Sequence, residues 1–540
     1  MASQETVQKV LDDIPLRYRG PGGAIAIIKD GELIGQRVWG YADVDQRVHL
    51  TPEMQMPICS ITKQFVCALL LDLKRNPTPK MAAKGDIDAQ FEEKFRELLR
   101  PELTNDSGLT IDHLCDMQSG LRDYWAMTAL WGTKPEDEFL VERDCPPMLE
   151  RTKSFHFKPG TEFSYCNVNF HILARLIERV TGESLGKLLA ERILRPAGME
   201  TAFLCPDNAK LPPPCLGYEG TEQTGYFPAV NRMEWSGDAG LAASLTDMIA
   251  WEKHLHSLYA DPQSWYHQVC QPITYADGTH APYRYGLSHI YLNGVDTLGH
   301  AGALRGYRSH RRHALQDGLS VVILFNHEPD VMSATEDVMR TLLHKPKLEY
   351  LPVEPSSAWV GSFLDQETQL SITVSKGPAK GELVIAYAGG PETIKLTDPS
   401  HGDAPGMSAS VDGDVLHIHR IRDNRKLEAR RLVPRDSSFK DNSLQGDYKC
   451  TEIESVFHCW GDAGMLYGEF DGYLGQGTAT SMKYLGDDVW ILTCPRGLDA
   501  PAPGDWTVVF HRDESDCIIG FKIGCWLARG LDFVKFSTKI

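Results

Sequence analysis

The pattern of apolar and polar residues divides the chain into a first part that contains long helices and a second part built from short strands. In the first part, residues 22–43 alternate about a Lys29-Asp30-Gly31 turn, which predicts a β-hairpin. A nearly continuous apolar run at residues 65–73 predicts a deeply buried helix that begins at Ser60. Further helices are predicted within residues 80–103, 109–121, 157–199 and 237–255, and a buried strand is predicted to end at Asn326. This part is therefore predicted to be a mixed α and β domain.

Beyond about residue 345 the pattern changes to a proline-rich linker and then to short strands with alternating apolar residues. One set of candidate strands comprises QLSITVS, ELVIAYA, DVLHIHRI and KLEARRLV, and a second set comprises LYGEFDGYL, DDVWILTC, WTVVFHR and IIGFKIGCWLA. No long helical pattern recurs, and each set can close a small barrel. We therefore predict three domains, at residues 1–345, 346–440 and 441–540.

Composition and charge narrow the function classes. The protein has 540 residues, and 55 basic against 73 acidic side chains give a formal net charge of −18. That balance disfavours nucleic acid and anionic membranes as partners, so a small-molecule or peptide substrate fits better. Because the first residues form no apolar segment and no stretch approaches 18 apolar residues, we expect a cytoplasmic protein that does not cross a membrane.

The cysteines and histidines do not form a recognisable metal motif. Thirteen cysteines are scattered without a C-x-x-C pair, so neither disulfides nor a structural zinc site is expected. His417 and His419 project to one side of a predicted strand, but with no third ligand in view they are interpreted as surface histidines. We expect no metal and no other cofactor.

The segment MPICSITK at residues 56–63 carries the first candidate chemistry. Ser60 and Lys63 lie three residues apart, so on a helix the amine stands over the hydroxyl one turn away. Burial and the positive end of the helix dipole both favour the neutral amine, which can accept a proton from a serine. The alternative is that Ser60 merely caps a helix, although a capping box has Glu or Gln where this chain has Lys63.

Two further motifs follow in order along the chain, Tyr165-x-Asn167 and His300-x-Gly302. Together with the serine and lysine they resemble the three signatures of the serine β-lactamase and penicillin-binding peptidase family, and DHLCDMQSGLRDY, GDAGLAAS and GHAGALRGY resemble its connecting segments. The resemblance covers the full chain. It implies an α+β fold in which a β-lactamase-like catalytic domain is followed by two small antiparallel, lipocalin-like β-barrels. No G-x-S-x-G elbow, H-E-x-x-H motif or Gly-rich phosphate loop supports a competing class.

The motif residues would divide the work of acyl transfer. Ser60 would attack a carbonyl carbon, and Lys63 would hold and relay the proton. Tyr165 would act as the phenolate or as a hydrogen-bonded partner that passes this proton to the leaving amine. Asn167 would bind a substrate amide, and the resemblance implies that the backbone N–H groups of Ser60 and Ala303 form an oxyanion hole. Taken alone, Tyr165 could instead be a buried tyrosine with a satisfied hydroxyl, and Asn167 could form an Asx-turn.

The third motif departs from the family pattern. His300 and Ala301 stand where many relatives have lysine and threonine, and that lysine helps to bind a substrate carboxylate. The departure therefore weakens the case for a carboxypeptidase or a true β-lactamase. His300, Gly302 and Ala303 are predicted to contact the substrate, and Arg308 is expected near them, although Arg308 could equally belong to a solvated basic face with Arg311 and Arg312.

An aminopeptidase must recognise a free α-ammonium group, which requires an anion in the site. The resemblance implies that a loop of the third domain reaches the catalytic domain, and the matching stretch here is CPRGLDAP at residues 494–501. Asp499 is the candidate anion of this loop. The alternative is that Asp499 is a solvated carboxylate in a proline-rich turn.

Three functions compete at this point. The resemblance implies a cofactor-free serine hydrolase that releases N-terminal D-amino acids from peptides and amides through an acyl-enzyme. An esterase, a D-amino-acid amidase or an acyl transferase on the same fold is the second. A non-catalytic, penicillin-recognising binding protein is the third, but an intact set of Ser60, Lys63 and Tyr165 argues against it. The expected partner is a small peptide or amino-acid amide, and a homodimer is compatible with the resemblance.

Overall fold

The computed structural model of the protein describes residues 3–211, 215–292, 294–345, 352–434, 442–462, 464–494, 496–498 and 504–536. It contains a helix-rich first domain followed by two β-barrels. The helices of the first domain are α1 (Gln4–Arg17), α2 (Thr62–Arg75), α3 (Pro79–Ala82), α4 (Ile87–Leu98), α5 (Pro101–Thr104), α6 (Ile111–Cys115), α7 (Tyr124–Leu130), α8 (Val141–Arg151), α9 (Asn167–Thr181), α10 (Leu185–Leu189), α11 (Leu245–Tyr259), α12 (Trp265–Val269) and α13 (Val331–Leu342). Short 3-10 turns lie at Cys59–Ile61, Asn208–Lys210 and Asn442–Leu444, and a π-helical turn lies at Ala190–Leu194.

An eight-stranded antiparallel sheet forms the backbone of the first domain. Its strands lie in the order β11-β12-β13-β14-β15-β1-β2-β3, so the last three long strands of the domain join the N-terminal hairpin. The strands of this domain are β1 (Gly22–Lys29), β2 (Glu32–Asp43), β3 (Val48–His49), β4 (Met56–Pro57), β5 (Phe203–Leu204), β6 (Tyr218–Thr221), β7 (Gly225–Pro228), β8 (Leu241–Ala243), β9 (Ile273–Thr274), β10 (His280–Ala281), β11 (Tyr283–Arg284), β12 (Leu287–Leu292), β13 (Val295–Leu304), β14 (Tyr307–Ala314) and β15 (Leu319–Phe325).

The central strand β1 shows why this sheet is covered on both faces. Ala24, Ala26 and Ile28 point into the large core that contains α2 and α9, whereas Ile25 and Ile27 point into a smaller core formed with α1 and α13. A strand buried on both faces reads as a continuous apolar run, as GGAIAIIK does. The predicted turn follows it, since Asp30 and Gly31 both have positive φ, of 51° and 80°.

The second half of the chain forms two antiparallel barrels. The first barrel is closed by eight strands: β16 (Gly361–Asp365), β17 (Ser371–Lys376), β18 (Glu382–Tyr387), β19 (Gly390–Asp398), β20 (His401–Ala404), β21 (Met407–Asp412), β22 (Val415–Arg420) and β23 (Arg425–Arg431). The second barrel is closed by pairing of β25 with β26, and β27 extends its edge. Its strands are β24 (Gly446–Cys450), β25 (Ser455–Asp462), β26 (Met465–Gly472), β27 (Gly475–Gln476), β28 (Thr480–Gly486), β29 (Val489–Leu492), β30 (Trp506–Arg512), β31 (Ile518–Cys525) and β32 (Ala528–Phe536).

The second barrel shares its hydrophobic core with the first domain. Trp131 after α7 belongs to the same buried cluster as Tyr448 and Phe457 of the barrel, and its indole N–H donates to the carbonyl of Ile453 at 3.1 Å. The first barrel keeps a core of its own. The predicted fold class, an α+β catalytic domain followed by two small antiparallel barrels, is confirmed, while the domain boundaries stay predictions. No helix in the described part of the chain is long and apolar enough to span a membrane.

Candidate active site

The nucleophile segment is a 3-10 turn that directly precedes helix α2. Ser60 is the central residue of this turn, whereas the sequence pattern placed it in the first turn of the α-helix. The difference arises at Cys59, whose φ of 53° delays the helix by two residues. Ser60 is partly exposed while Cys59 and Ile61 on either side are fully buried, so of these three residues the serine is the one that a substrate can reach.

Lys63 is fully buried at the start of α2 and makes three hydrogen-bond contacts. Its Nζ lies 3.1 Å from Ser60 Oγ, 2.8 Å from Asn167 Oδ1 and 2.7 Å from the carbonyl oxygen of Asp238. The amide and carbonyl oxygens can only accept, so a neutral amine must direct its two N–H groups at them. Its lone pair is then left for the Ser60 hydroxyl.

The protonation state of Lys63 is set mainly by burial. Desolvation lowers the pKa of the amine to about 8, and the nearby carboxylates of Asp238 and Asp123 oppose this shift. A lysine with a pKa near 8 is neutral in about a tenth of molecules at pH 7 and in about half of them at pH 8, so the base form is accessible near neutrality.

Tyr165 lies next to Ser60 and Lys63, at the end of the segment that leads into α9. Lys63 Nζ lies 4.9 Å from the centre of its ring. Burial raises the pKa of the Tyr165 phenol well above its usual value, and a hydrogen bond with Ser60 only partly offsets this. The phenol is therefore neutral, so Tyr165 can donate and relay a proton but does not serve as a standing phenolate.

Asn167 connects Lys63 to a buried carboxylate that the sequence analysis did not single out. Its Oδ1 accepts from Lys63, its Nδ2 donates to Asp123 Oδ2 at 2.8 Å, and its backbone N–H donates to Asp123 Oδ1 at 3.0 Å. One N–H of the Asn167 amide is left for the substrate amide that we predicted it to bind. Burial raises the pKa of Asp123 to about 7, and the charge of Lys63 opposes the shift.

A second missed residue, Asp238, holds the other acceptor of Lys63. Its backbone carbonyl receives the lysine, while its carboxylate accepts from the hydroxyl of Tyr124 at 2.6 Å and from the N–H of Ser236 at 2.9 Å. Asp123 precedes two aromatic residues in RDYW, and Asp238 lies among small residues in GDAG. An acidic residue in such surroundings was the available signal, because buried carboxylates need partners.

His300 on β13 lies beside Tyr165 and is held by two hydrogen bonds. Its ring centre is 6.1 Å from that of Tyr165. His300 Nδ1 lies 2.5 Å from the carbonyl of Ala301 and must donate, so Nε2, 2.9 Å from the hydroxyl of Tyr283, accepts from that phenol. Burial, together with the charge of Lys63, lowers the pKa of His300 to about 3, so the imidazole is neutral.

Gly302 allows strand β13 to lie directly against the nucleophile turn. A Cβ at this position would come within 2.3 Å of Ser309 Oγ and 2.6 Å of the carbonyl of Ile58. Ser309 Oγ in turn donates to that carbonyl at 2.8 Å. Ala303 follows on the same strand and pairs with Arg308 of β14.

Arg308 belongs to an ion-pair network that includes a residue of the third domain. Its guanidinium donates to the carbonyls of Leu304 and Tyr307 at 2.7 Å and lies 3.3 Å from Glu328. Arg496 also approaches Glu328, at 3.4 Å, and pairs with Glu219 at 2.8 Å. The structure therefore places Arg308 in a buried network and not on a solvated face.

The beginning of the predicted substrate loop lies against the first domain. A Cβ at Gly497 would come within 2.1 Å of the indole nitrogen of Trp125, and Leu498 is only 2% exposed. Asp499, the predicted anion, lies outside the described residues. Among the described residues, no group of three or more His, Cys, Asp or Glu side chains is arranged to hold a metal ion.

Comparisons with known proteins identify the family of the chain. The family model described as Beta-lactamase matches residues 4–344, and the one described as D-aminopeptidase, domain B matches residues 352–534. The chain is 42% identical to a D-aminopeptidase of Brucella anthropi, over 97% of both chains, and 40% identical to one of Brucella melitensis, over 98% of both.

Solved structures agree at the level of the fold. The octameric penicillin-binding protein homologue from Pyrococcus abyssi superposes with a TM-score of 0.54 at 19% identity, covering 79% of this chain and all of that one. The family match covers more than half of the chain, and the D-aminopeptidase relatives match nearly all of it. The chain therefore belongs to the β-lactamase family and, within it, to the D-aminopeptidases.

Proposed function

We propose that the protein is a serine hydrolase that releases N-terminal D-amino acids from short peptides and amino-acid amides through an acyl-enzyme. One observation carries the catalytic part of the proposal. Lys63 gives both N–H groups of its neutral form to oxygens that cannot donate, which leaves the lone pair for Ser60. The specificity for D-residues rests on the relatives that are 40% and 42% identical to this chain, because both are named D-aminopeptidase.

The geometry supports the following sequence of steps. Lys63 takes the proton of the Ser60 hydroxyl as Oγ attacks the substrate carbonyl carbon, and the backbone N–H groups of Ser60 and Ala303 stabilise the oxyanion. The proton then passes through the neutral Tyr165 phenol to the leaving amine as the C–N bond breaks. Water attacks the resulting ester by the reverse proton path and releases the D-amino acid.

The experiment compares D-alanine p-nitroanilide with its L-isomer, for the wild type and for Ser60→Ala. We expect the wild type to turn over the D-isomer and little of the L-isomer, and the variant to turn over neither. The far-UV circular dichroism spectrum of the variant should match that of the wild type. Equal rates for the two isomers would overturn the D-specificity, and retained turnover by Ser60→Ala would overturn the acyl-enzyme. Parallel assays with the D-alanine methyl ester test the esterase alternative.

We further propose that the substrate α-ammonium group pairs with Asp499. Support comes from the neighbouring residues, because Arg496 and Leu498 bring this loop of the second barrel onto the first domain. A homodimer and a cytoplasmic location stay predictions, which sedimentation equilibrium and cell fractionation would test.

A further inference from the structure

Two consecutive residues at the start of α7, Asp123 and Tyr124, each hold one of the two acceptors of Lys63. Asp123 binds the side-chain amide of Asn167, and Tyr124 binds the carboxylate of Asp238, whose carbonyl receives the lysine. Asp123 and Tyr124 are both buried, at 0% and 4% exposure. Two neighbouring residues at the start of α7 therefore position both hydrogen-bond acceptors of Lys63.

The hydrogen bonds through Asp123 also have a fixed direction. An amide group can present either its oxygen or its NH₂ group to Lys63, and only the oxygen suits an amine that must keep its lone pair for serine. An ionised Asp123 carboxylate can only accept, so it binds the NH₂ group of Asn167 and turns the oxygen towards Lys63. Below its pKa of about 7 the protonated Asp123 carboxyl can donate, and the amide can then turn its NH₂ group towards Lys63, so the relay depends on the ionised form.

The second barrel holds Asp123 in place. The backbone N–H of Asp123 donates to the carbonyl of Leu527 at 3.1 Å, in the turn between β31 and β32. The preceding Arg122 donates through Nε to the carbonyl of Arg529 at 2.8 Å. Asp123 and Leu527 are both fully buried, so the hydrogen bond between them is shielded from water.

We propose that Asp123 is a positioning residue for the proton relay: it orients the Asn167 amide so that Lys63 serves as the base of Ser60, and the β31–β32 turn of the second barrel fixes its position. This inference rests on the proposed acyl-enzyme function. It gives the second barrel a role in the chemical step that is separate from the Asp499 loop.

The first test is Asp123→Asn with D-alanine p-nitroanilide as substrate. A donor at this position can turn the Asn167 amide, so kcat should fall about 100-fold while KM changes by less than about threefold. The substitution also removes a negative charge that raises the pKa of Lys63, so the acid limb of kcat/KM should move to lower pH. The groups that face Lys63 in this profile are Cys59, Ser60, Asp123, Tyr165, Cys166, Asn167, Asp238 and His300.

The second test exchanges the two partners. Asn167→Asp alone sets two carboxylates against each other and should be poorly active. The double variant, Asp123→Asn with Asn167→Asp, restores a donor facing an acceptor, so its kcat should exceed that of either single variant by about tenfold or more. Its KM should rise, because a carboxylate at position 167 has no N–H for the substrate amide. Its acid limb should lie above that of the wild type, because a carboxylate then contacts Lys63 directly.

The matched control is Asp365→Asn in the first barrel. Asp365 is also buried, at 1% exposure, and accepts from the N–H and hydroxyl of Thr368. It should lower thermal stability without changing the pH profile. Wild-type kcat in a folded Asp123→Asn variant would overturn the proposal. It would also be overturned if Asp123→Asn lost activity, its acid limb of kcat/KM stayed where it is in the wild type, and the double variant recovered no activity.

A readout without substrate separates this inference from the proposed function. The rate at which a fluorophosphonate labels Ser60, followed by intact-protein mass spectrometry, reports the nucleophilicity of the serine itself. If the wild type is labelled but does not hydrolyse the anilide, the proposed function fails. Slower labelling of Asp123→Asn would then still support the positioning role, and unchanged labelling would overturn it.

Discussion

At the scale of single residues, the chemistry depends on a lysine that the fold keeps both buried and partly neutral. Lys63 has no direct carboxylate partner among its three hydrogen-bond contacts, which are a hydroxyl, an amide oxygen and a backbone carbonyl. A direct salt bridge would hold the proton on the amine, whereas these neutral partners orient it without raising its pKa strongly. The carboxylates of Asp123 and Asp238 act one step further away.

The relay should fail when either end of it is removed. Lys63→Ala removes the base and Tyr165→Phe removes the hydroxyl that returns the proton, so each should lower kcat by about 10³-fold or more. The double variant should be little worse than the single ones, because groups that act as one unit are not additive. Stopped-flow and steady-state assays on D-alanine p-nitroanilide would measure this, and strictly multiplicative losses would contradict a shared relay.

The pH dependence follows from the same lysine. Because Lys63 must be neutral to accept the serine proton, kcat/KM should rise with pH through the Lys63 pKa of about 8. It should fall about tenfold per unit below that pKa, and more steeply below about pH 7, where Asp123 also becomes protonated. His300, with a pKa lowered to about 3, contributes no limb near neutrality. A pH profile of kcat/KM with an ester and an anilide substrate checks this. If the acid limb of the profile moved in His300→Gln, the base would be reassigned to His300.

At the scale of elements, the close approach of β13 to the nucleophile turn sets the geometry of attack. Ser309 holds the carbonyl of Ile58 from β14, and Gly302 leaves room for this contact on β13. Substitution at Gly302 therefore separates two elements that must stay in register, while the nucleophile itself is unchanged.

Gly302→Ala should lower kcat/KM by about 10- to 100-fold, because its Cβ would meet Ser309 Oγ at 2.3 Å and push the strand away from Ser60. The matched control is Gly186→Ala in α10, whose Cβ would make ordinary contacts of 3.5 and 3.6 Å with Leu204. That variant should keep wild-type kinetics. Equal activity of the two variants would show that the approach of β13 does not limit the reaction.

The loop of the second barrel makes a separate prediction about specificity. If Asp499 pairs with the substrate ammonium, Asp499→Asn should lower kcat/KM for D-alanine p-nitroanilide by about thirtyfold or more. The N-acetyl derivative should be affected much less, since it carries no charge there. Asp471→Asn, at an exposed carboxylate on β26, is the control. An unchanged ratio of the two substrates would remove Asp499 from the site.

At the scale of the whole molecule, many histidines are buried in the neutral form. Burial lowers the pKa of His300 to about 3, and it lowers the pKa of four others to about 4: His171, His289, His313 and His327. The pKa values of His156 and His310 are also well below the usual value. The unfolded chain therefore binds more protons than the folded one between about pH 4 and 6.5.

Stability should accordingly fall as the pH falls through this window, by about 1.4 kcal/mol per pH unit for each such histidine at most. The thermal midpoint measured from pH 7.5 down to pH 4.5 should drop steeply below about 6.5. His171→Leu should flatten the drop, because it removes one titrating group, while His417→Leu at an exposed position should not. A midpoint independent of pH would contradict the neutral burial of these side chains.

The sequence determined the features that arise from local spacing. Short-range sterics and the period of the side chains explain three of these features: the turn of Asp30 and Gly31, the three-residue interval from Ser60 to Lys63, and the alternating strands beyond residue 350. The fold class and the order of the motifs could therefore be predicted. The start of α2 was the local exception, because the positive φ of Cys59 is stabilised by contacts with β13 and β14 that no local pattern reveals.

Only the tertiary structure decided what those residues can do. The pKa of Lys63 depends on burial beneath segments far along the chain, and its acceptors come from residues 104 and 175 positions away. Arg122 meets the carbonyl of Arg529 across 407 residues, and Asp123 meets Leu527 beside it. Such contacts depend on how the domains pack, because desolvation and hydrogen-bond direction are properties of the assembled surroundings and are not encoded in the spacing of any motif.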